Sequence, residues 1–265
     1  MLANVLPRPN IRVPMALSRL LPALMALCCV AGAAPAANEP ALTLTEVITQ
    51  ARAAVTADAK ALEAVKGLRL EFTSVDHQAD AKSKVTLTLV APGLRHQSSE
   101  DVALGGVSVV CAGSLEGWAS RLRSPLAERE LRPVPYEEFR RLRDMARDDL
   151  AFFAVPPAEL GSAEYKGLDE VDGRRTHAVA YAYASGFQIT RHFDARTFAL
   201  VASDQLSPGR RLLRQKVESF LEAGGLRLAA KETVHIDGRK VGEVTYERVT
   251  VNPTIPTDLF RFPTF

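Results

Sequence analysis

The stretch RRTHAVAYAYASGFQITRHFDARTFALVASDQL, residues 174–206, decides the fold. His177, Val179 and Tyr181 fall on one face of a strand, and after the turn signal Ser185-Gly186 a second strand, FQITRHF, follows. FALVASDQ reads as a third. Asp194-Ala195-Arg196-Thr197 joins the last two, with Asp194 placed to accept a backbone N–H and Thr197 to close the loop through its hydroxyl. His192 and Asp194, two apart on one strand face, are also spaced as a hydrogen-bonded pair, so a hydrolytic site competes with a capped turn. The turn is the expectation, because no GxSxG nucleophile elbow accompanies the pair.

The same period of two recurs on both sides of this stretch. Leu68, Leu70 and Phe72 alternate with polar residues, as do Val85, Leu87 and Leu89, then Val107, Val109 and Cys111. Beyond residue 206, RLLRQKVESFL, LRLAAKETVHI and GEVTYERVTV continue the alternation, punctuated by Gly224-Gly225 and Asp237-Gly238. About eleven strands joined by short turns predict one antiparallel meander. Two segments break the period. LTEVITQARAAVTADAKALEAVKG (44–67) spaces its apolar residues as one amphipathic helix, with Thr45 as cap and Gly67 as stop, and PYEEFRRLRDMARDDLAFF (135–153) predicts a helix inserted between strands. Its arginines, interleaved with acids in RRLRDMARDD, read as a solvated face.

Residues 1–36 read as a secretory signal peptide. Arg8, Arg12 and Arg19 precede the apolar run LLPALMALCCVAGAAPAA, which predicts cleavage after Ala36, or after Ala33; Met15 is an alternative start. The remainder, 37–265, is expected to form a single domain in the periplasm. Three of the 33 basic residues and none of the 31 acidic ones lie in the signal, so 30 face 31 in the rest and no positive field remains to attract nucleic acid. Cys111 is the only cysteine after the signal and reads as a small buried apolar residue. The five histidines lack metal-ligand spacing, and neither GxxxxGK[ST] nor GxGxxG occurs, so no metal, nucleotide or other cofactor is expected and the protein is read as no enzyme.

A single sheet with one apolar face needs a covering layer, and two helices cannot fill a strongly curved sheet of this size. An apolar cavity is the consequence. Leu70, Phe72, Leu87, Leu89, Val109, Trp118, Phe139, Leu142, Phe187 and Ile189 are its candidate lining. The alternative is an envelope module whose sheet packs on itself and which binds a protein partner through the helix around Arg140–Arg147.

The order of VAPGLRHQ, GSLEGW, the inserted helix, YKGLDEVDGRRTHAV, TRHFDARTFALV and the closing VTVNPTIPTDLFRFP resembles outer-membrane lipoprotein-sorting proteins of the LolA/LolB-like superfamily, over most of residues 37–265. The resemblance implies a half-open β-barrel whose helices form a lid, shielding lipoprotein acyl chains or lipids, with only transient membrane contact. There is one departure. The carriers have a basic residue, thought to govern lid closure, immediately before the strand-ending proline, where this chain has Ala91 before Pro92; Arg95 lies three positions beyond.

Overall fold

Thr43 starts the first helix, α1 (Leu44–Val55): its hydroxyl accepts from the Glu46 amide at 3.3 Å while the Glu46 carboxylate accepts from the Thr43 amide at 2.7 Å. The cap is therefore Thr43, not Thr45. Thr56 then turns extended, and Asp58 accepts from the Lys60 amide at 3.0 Å to open a second piece, α2 (Ala59–Glu63). The single helix expected over residues 45–67 is two, because a short polar side chain able to bond a backbone N–H starts a new helix as readily as it continues an old one.

The computed structural model describes residues 42–206, 211–256 and 258–263. The expected signal peptide, residues 1–36, lies outside them. Before the inserted helix run β1 (Gly67–Asp76), β2 (Ala81–Val90), β3 (Leu94–Asp101), β4 (Val107–Ala112), β5 (Gly117–Leu122) and β6 (Glu130–Pro133). The helix itself is α3 (Tyr136–Ala151). After it come β7 (Gly161–Val171), β8 (Arg174–Tyr183), β9 (Gln188–Asp194), β10 (Leu200–Leu206), β11 (Leu212–Ala223), β12 (Leu226–Ile236) and β13 (Arg239–Val251).

All the strands form one open antiparallel sheet of thirteen, rather than about eleven, in the order β6-β5-β4-β3-β2-β1-β13-β12-β11-β10-β9-β8-β7. Every neighbour is a hairpin partner except β1 and β13, which join the two halves of the chain. Asn252 secures that junction: its side-chain oxygen accepts from the amides of Lys66 (2.6 Å) and Gly67 (3.2 Å), and its amide group donates to the Ala64 carbonyl at 3.0 Å. Since β6 and β7 are the opposite edges of the sheet, the segment containing α3 has to span it.

Register assigns the faces, because directly paired residues share one side. Leu68, Leu70 and Phe72 on β1 pair with Leu89, Leu87 and Val85 on β2 and with Val251, Val249 and Tyr246 on β13. This inner face meets the helices: Val55, Leu62, Ala146 and Phe152 pack into the same cluster. Each fully buried aliphatic side chain there contributes about 1.5–3 kcal/mol. Among the described residues no helix is long and apolar enough to cross a membrane.

Candidate functional site

The inner face beneath α3 carries three apolar clusters. The central one holds four of the candidates, Phe72, Leu87 and Leu89 buried and Leu70 partly so. A second joins Phe187 and Ile189 with Val47, Ala51, Tyr181 and Phe193, and a third joins Phe139 and Leu142 of α3 with Ala112, Ala119 and Val134. Val109 and Trp118 are on the other side of the sheet. Val109 pairs with Ser98, which pairs with Thr86, and Trp118 pairs with Cys111, so both share the face opposite Leu87 and Leu89. There Trp118 and Cys111 are buried, the latter with its thiol pushed up to about 12 by burial. A side chain grown on neighbouring Gly113 would lie 2.6 Å from the Phe260 carbonyl, which places the C-terminal segment against the β4–β5 turn.

Charged residues divide the apolar clusters. On β3 the inward positions are Arg95 and Gln97, opposite Leu89 and Leu87 on one side and Ala112 and Val110 on the other. On β9 the inward position between Ile189 and Phe193 is Arg191. Two consecutive aspartates of α3 meet them. Asp148 pairs with Arg191 and accepts from the Tyr183 hydroxyl at 2.9 Å, while Arg191 also reaches the Ser203 hydroxyl at 3.3 Å and stands over the Phe153 ring. Burial opposes the charge on Arg191, but the two carboxylates outweigh it and hold the guanidinium above its ordinary range. Asp149 lies 4.0 Å from Arg95, whose other nitrogen donates to Gln97 at 2.6 Å. Its Oδ2 is buried without a hydrogen bond although 26% of the side chain is exposed, and burial, with the adjacent Asp148 carboxylate, pushes this acid up to about 6. Sequence periodicity marks Arg191 as an arginine in an apolar phase; Arg95 and the aspartates have no such signal.

The arginines of α3 are half-buried rather than fully solvated, and three of them reach loop carbonyls. Arg140 donates to the Ala184 carbonyl (3.0 Å), Arg143 to Ser114 (2.9 Å) and Arg147 to Pro92 (2.8 Å), each in a loop at the rim of the sheet, and Arg147 also pairs with Asp144. From α1, Arg52 donates to the carbonyls of Ala151 (2.7 Å) and Phe152 (3.0 Å), where the end of α3 attracts a cation. The helices are thus tied to the rim and to one another, over an open apolar sheet. The fold has counterparts among solved structures. It is shared with a putative outer membrane lipoprotein-sorting protein domain from Vibrio parahaemolyticus (TM-score 0.53, 9% identity, 83% of this chain and 97% of that one). A DUF1329 family protein from Desulfovibrio piger shares it as well (TM-score 0.52, 9% identity, 82% and 97%). A LolA superfamily protein from Nitrosomonas europaea aligns over 84% of this chain and 99% of its own at TM-score 0.49 and 10% identity. No family model and no curated protein matches the sequence.

The opening hairpin resolves as a turn. Asp194 Oδ1 accepts from the amides of Arg196 (3.1 Å) and Thr197 (2.8 Å) and from the Thr197 hydroxyl (2.9 Å). His192 does not pair with Asp194; its Nε2 lies 3.1 Å from Asp204 and its Nδ1 3.5 Å from Asp169, on the outer face and only 2% exposed. Arg214 holds the same Asp204 through two bonds of 2.6 Å. His177 is half of a structural pair, 2.7 Å from the Tyr165 hydroxyl and stacked on Phe198.

Proposed function

We propose that the protein is a non-catalytic periplasmic binder or carrier of acyl chains, from lipoproteins or lipids, which it shields between the inner face of the sheet and its helices. The observation that carries this reading is the cover: the row Leu68, Leu70, Phe72 and its partners Leu89, Leu87, Val85 is roofed by helices packed on it and hydrogen-bonded to the rim loops, not by a second sheet. A chain that took the place of these helices on the sheet would gain about 0.8 kcal/mol per buried methylene. The kinship in fold with a lipoprotein-sorting domain agrees with it. The competing envelope-module reading needs Arg140, Arg143 and Arg147 free for a partner, and each is engaged with a carbonyl of its own chain. Export completes the proposal: cleavage after Ala36 yields a chain beginning at Ala37, which mass spectrometry of the isolated N-terminus checks. A lipidated Cys28 or Cys29 would contradict it. An environment-sensitive dye tests the binding itself; it should bind the folded protein and be displaced by a fatty acid or a diacylated lipopeptide, and a dye that no acyl compound displaces would defeat the reading.

A further inference from the structure

We propose that the acyl-chain ligand carries an acid head group, a carboxylate or a phosphate, and that Arg141 of α3 binds it at the rim beside the β8–β9 turn. This rests on the acyl-chain reading above and specifies its ligand. Four arginines lie on α3, and three of them are engaged: Arg140 with the Ala184 carbonyl and Glu137, Arg143 with the Ser114 carbonyl, Arg147 with the Pro92 carbonyl and Asp144. Arg141 is not. It makes no hydrogen bond and no ion pair among the described residues, and its Nε is buried without an acceptor. The acids nearest along the helix are taken or turned away: Asp144 pairs with Arg147, Asp148 with Arg191 and the Tyr183 hydroxyl, Glu137 with Arg140, and Glu138 is exposed. A half-buried guanidinium that has lost water on one side and gained no partner is under-satisfied, and an anion docking on it relieves that penalty.

Helical spacing places this cation at the entrance to the inner face. Arg141, Met145 and Asp148 share one stripe of α3, at i, i+4 and i+7. Met145 packs against the cluster of Phe187 and Ile189, and Asp148 meets Tyr183 of β8 and Arg191 of β9, so the stripe faces the sheet. Arg141 begins it, one turn before Met145 and next to Arg140, whose bond to Ala184 holds this end of α3 at the β8–β9 turn. An amphiphile with an acid head matches that arrangement. Its chain lies against Met145, Phe187 and Ile189, and its oxygens meet the guanidinium, which binds carboxylate and phosphate in bidentate geometry.

The test compares acids with neutral amphiphiles of equal chain length by dye displacement at pH 8: palmitate against methyl palmitate, and lysophosphatidate against monopalmitoylglycerol. The wild type is expected to prefer at least one acid over its neutral counterpart by about fivefold, the upper end for a half-exposed ion pair, and the ratio should shrink at high salt. Arg141→Gln removes no described contact, so it should melt like the wild type while its ratio falls toward one; Arg69→Gln, on the outer face, should leave the ratio unchanged. The larger ratio identifies the head group as carboxylate or phosphate. Equal binding within both pairs, or a preference that survives Arg141→Gln, overturns this inference and leaves the acyl-chain reading standing; failure of all four compounds to bind overturns both. Should Arg141→Gln not fold, the salt series decides, and a wild-type ratio that high salt leaves unchanged counts against the proposal.

Discussion

A histidine with 2% of its surface exposed, set between Asp204 and Asp169, leaves carboxylates short of a neighbour when it is truncated. His192→Ala should therefore cost about 1–3 kcal/mol in urea unfolding, through a lost partner and a small void. Asp194→Ala removes a turn cap and should cost on the order of 1 kcal/mol. That order, with the histidine the costlier of the two, checks the structural assignment; loss of a hydrolytic turnover in both variants at unchanged stability would restore the active-site reading. Asp149 gives a pH signature. Its folded value of about 6 lies above the ordinary carboxylate value near 3.9, so the folded state binds the extra proton between them. The stability this group contributes is present below about pH 4 and lost as pH rises through 6, with a slope of at most about 1.4 kcal/mol per pH unit. Denaturant melts at pH 5 and pH 7 should show this loss in the wild type relative to Asp149→Asn.

Among the elements, α3 with its rim contacts covers the inner face. Arg143 and Arg147 donate to loop carbonyls at Ser114 and Pro92. Arg143→Ala with Arg147→Ala should lower the melting temperature, at about 1 kcal/mol per lost bond, and speed dye uptake in stopped-flow mixing. Slower or unchanged uptake would mean that α3 does not gate the site. The strands show where the sequence was readable. β1 and β2 alternate cleanly because one of their faces is apolar and the other polar. β3 does not, because its inward residues are Arg95, Gln97 and Ser99 while its outward ones are polar too, and no period survives. In β4 the opposite happens: Val107, Val109 and Cys111 face outward and Val110 and Ala112 inward, so both phases look apolar and the wrong one was assigned to Val109. Arg95 and Asp149 come together only through the path of α3 across the sheet, which no local spacing encodes.

For the whole molecule, the topology leaves two free edges and one covered face. The edges are blunted: β6 is four residues long and ends in Pro133, and β7 carries Glu164, Lys166, Asp169 and Glu170 with a bulge after Tyr165. The proposed ligand face is the apolar inner face beneath the helices. Leu70 lies on that face and, unlike Leu89, is only partly buried, so Leu70→Arg can keep its charge toward water while blocking an acyl chain. The most direct measurement is native mass spectrometry of the protein isolated without detergent, beside Leu70→Arg prepared in the same way. Acyl-chain binding predicts a wild type carrying a lipid or lipopeptide mass that is missing from a cooperatively folded Leu70→Arg. A wild type that emerges at its bare mass, and stays bare after incubation with membrane vesicles, would contradict it.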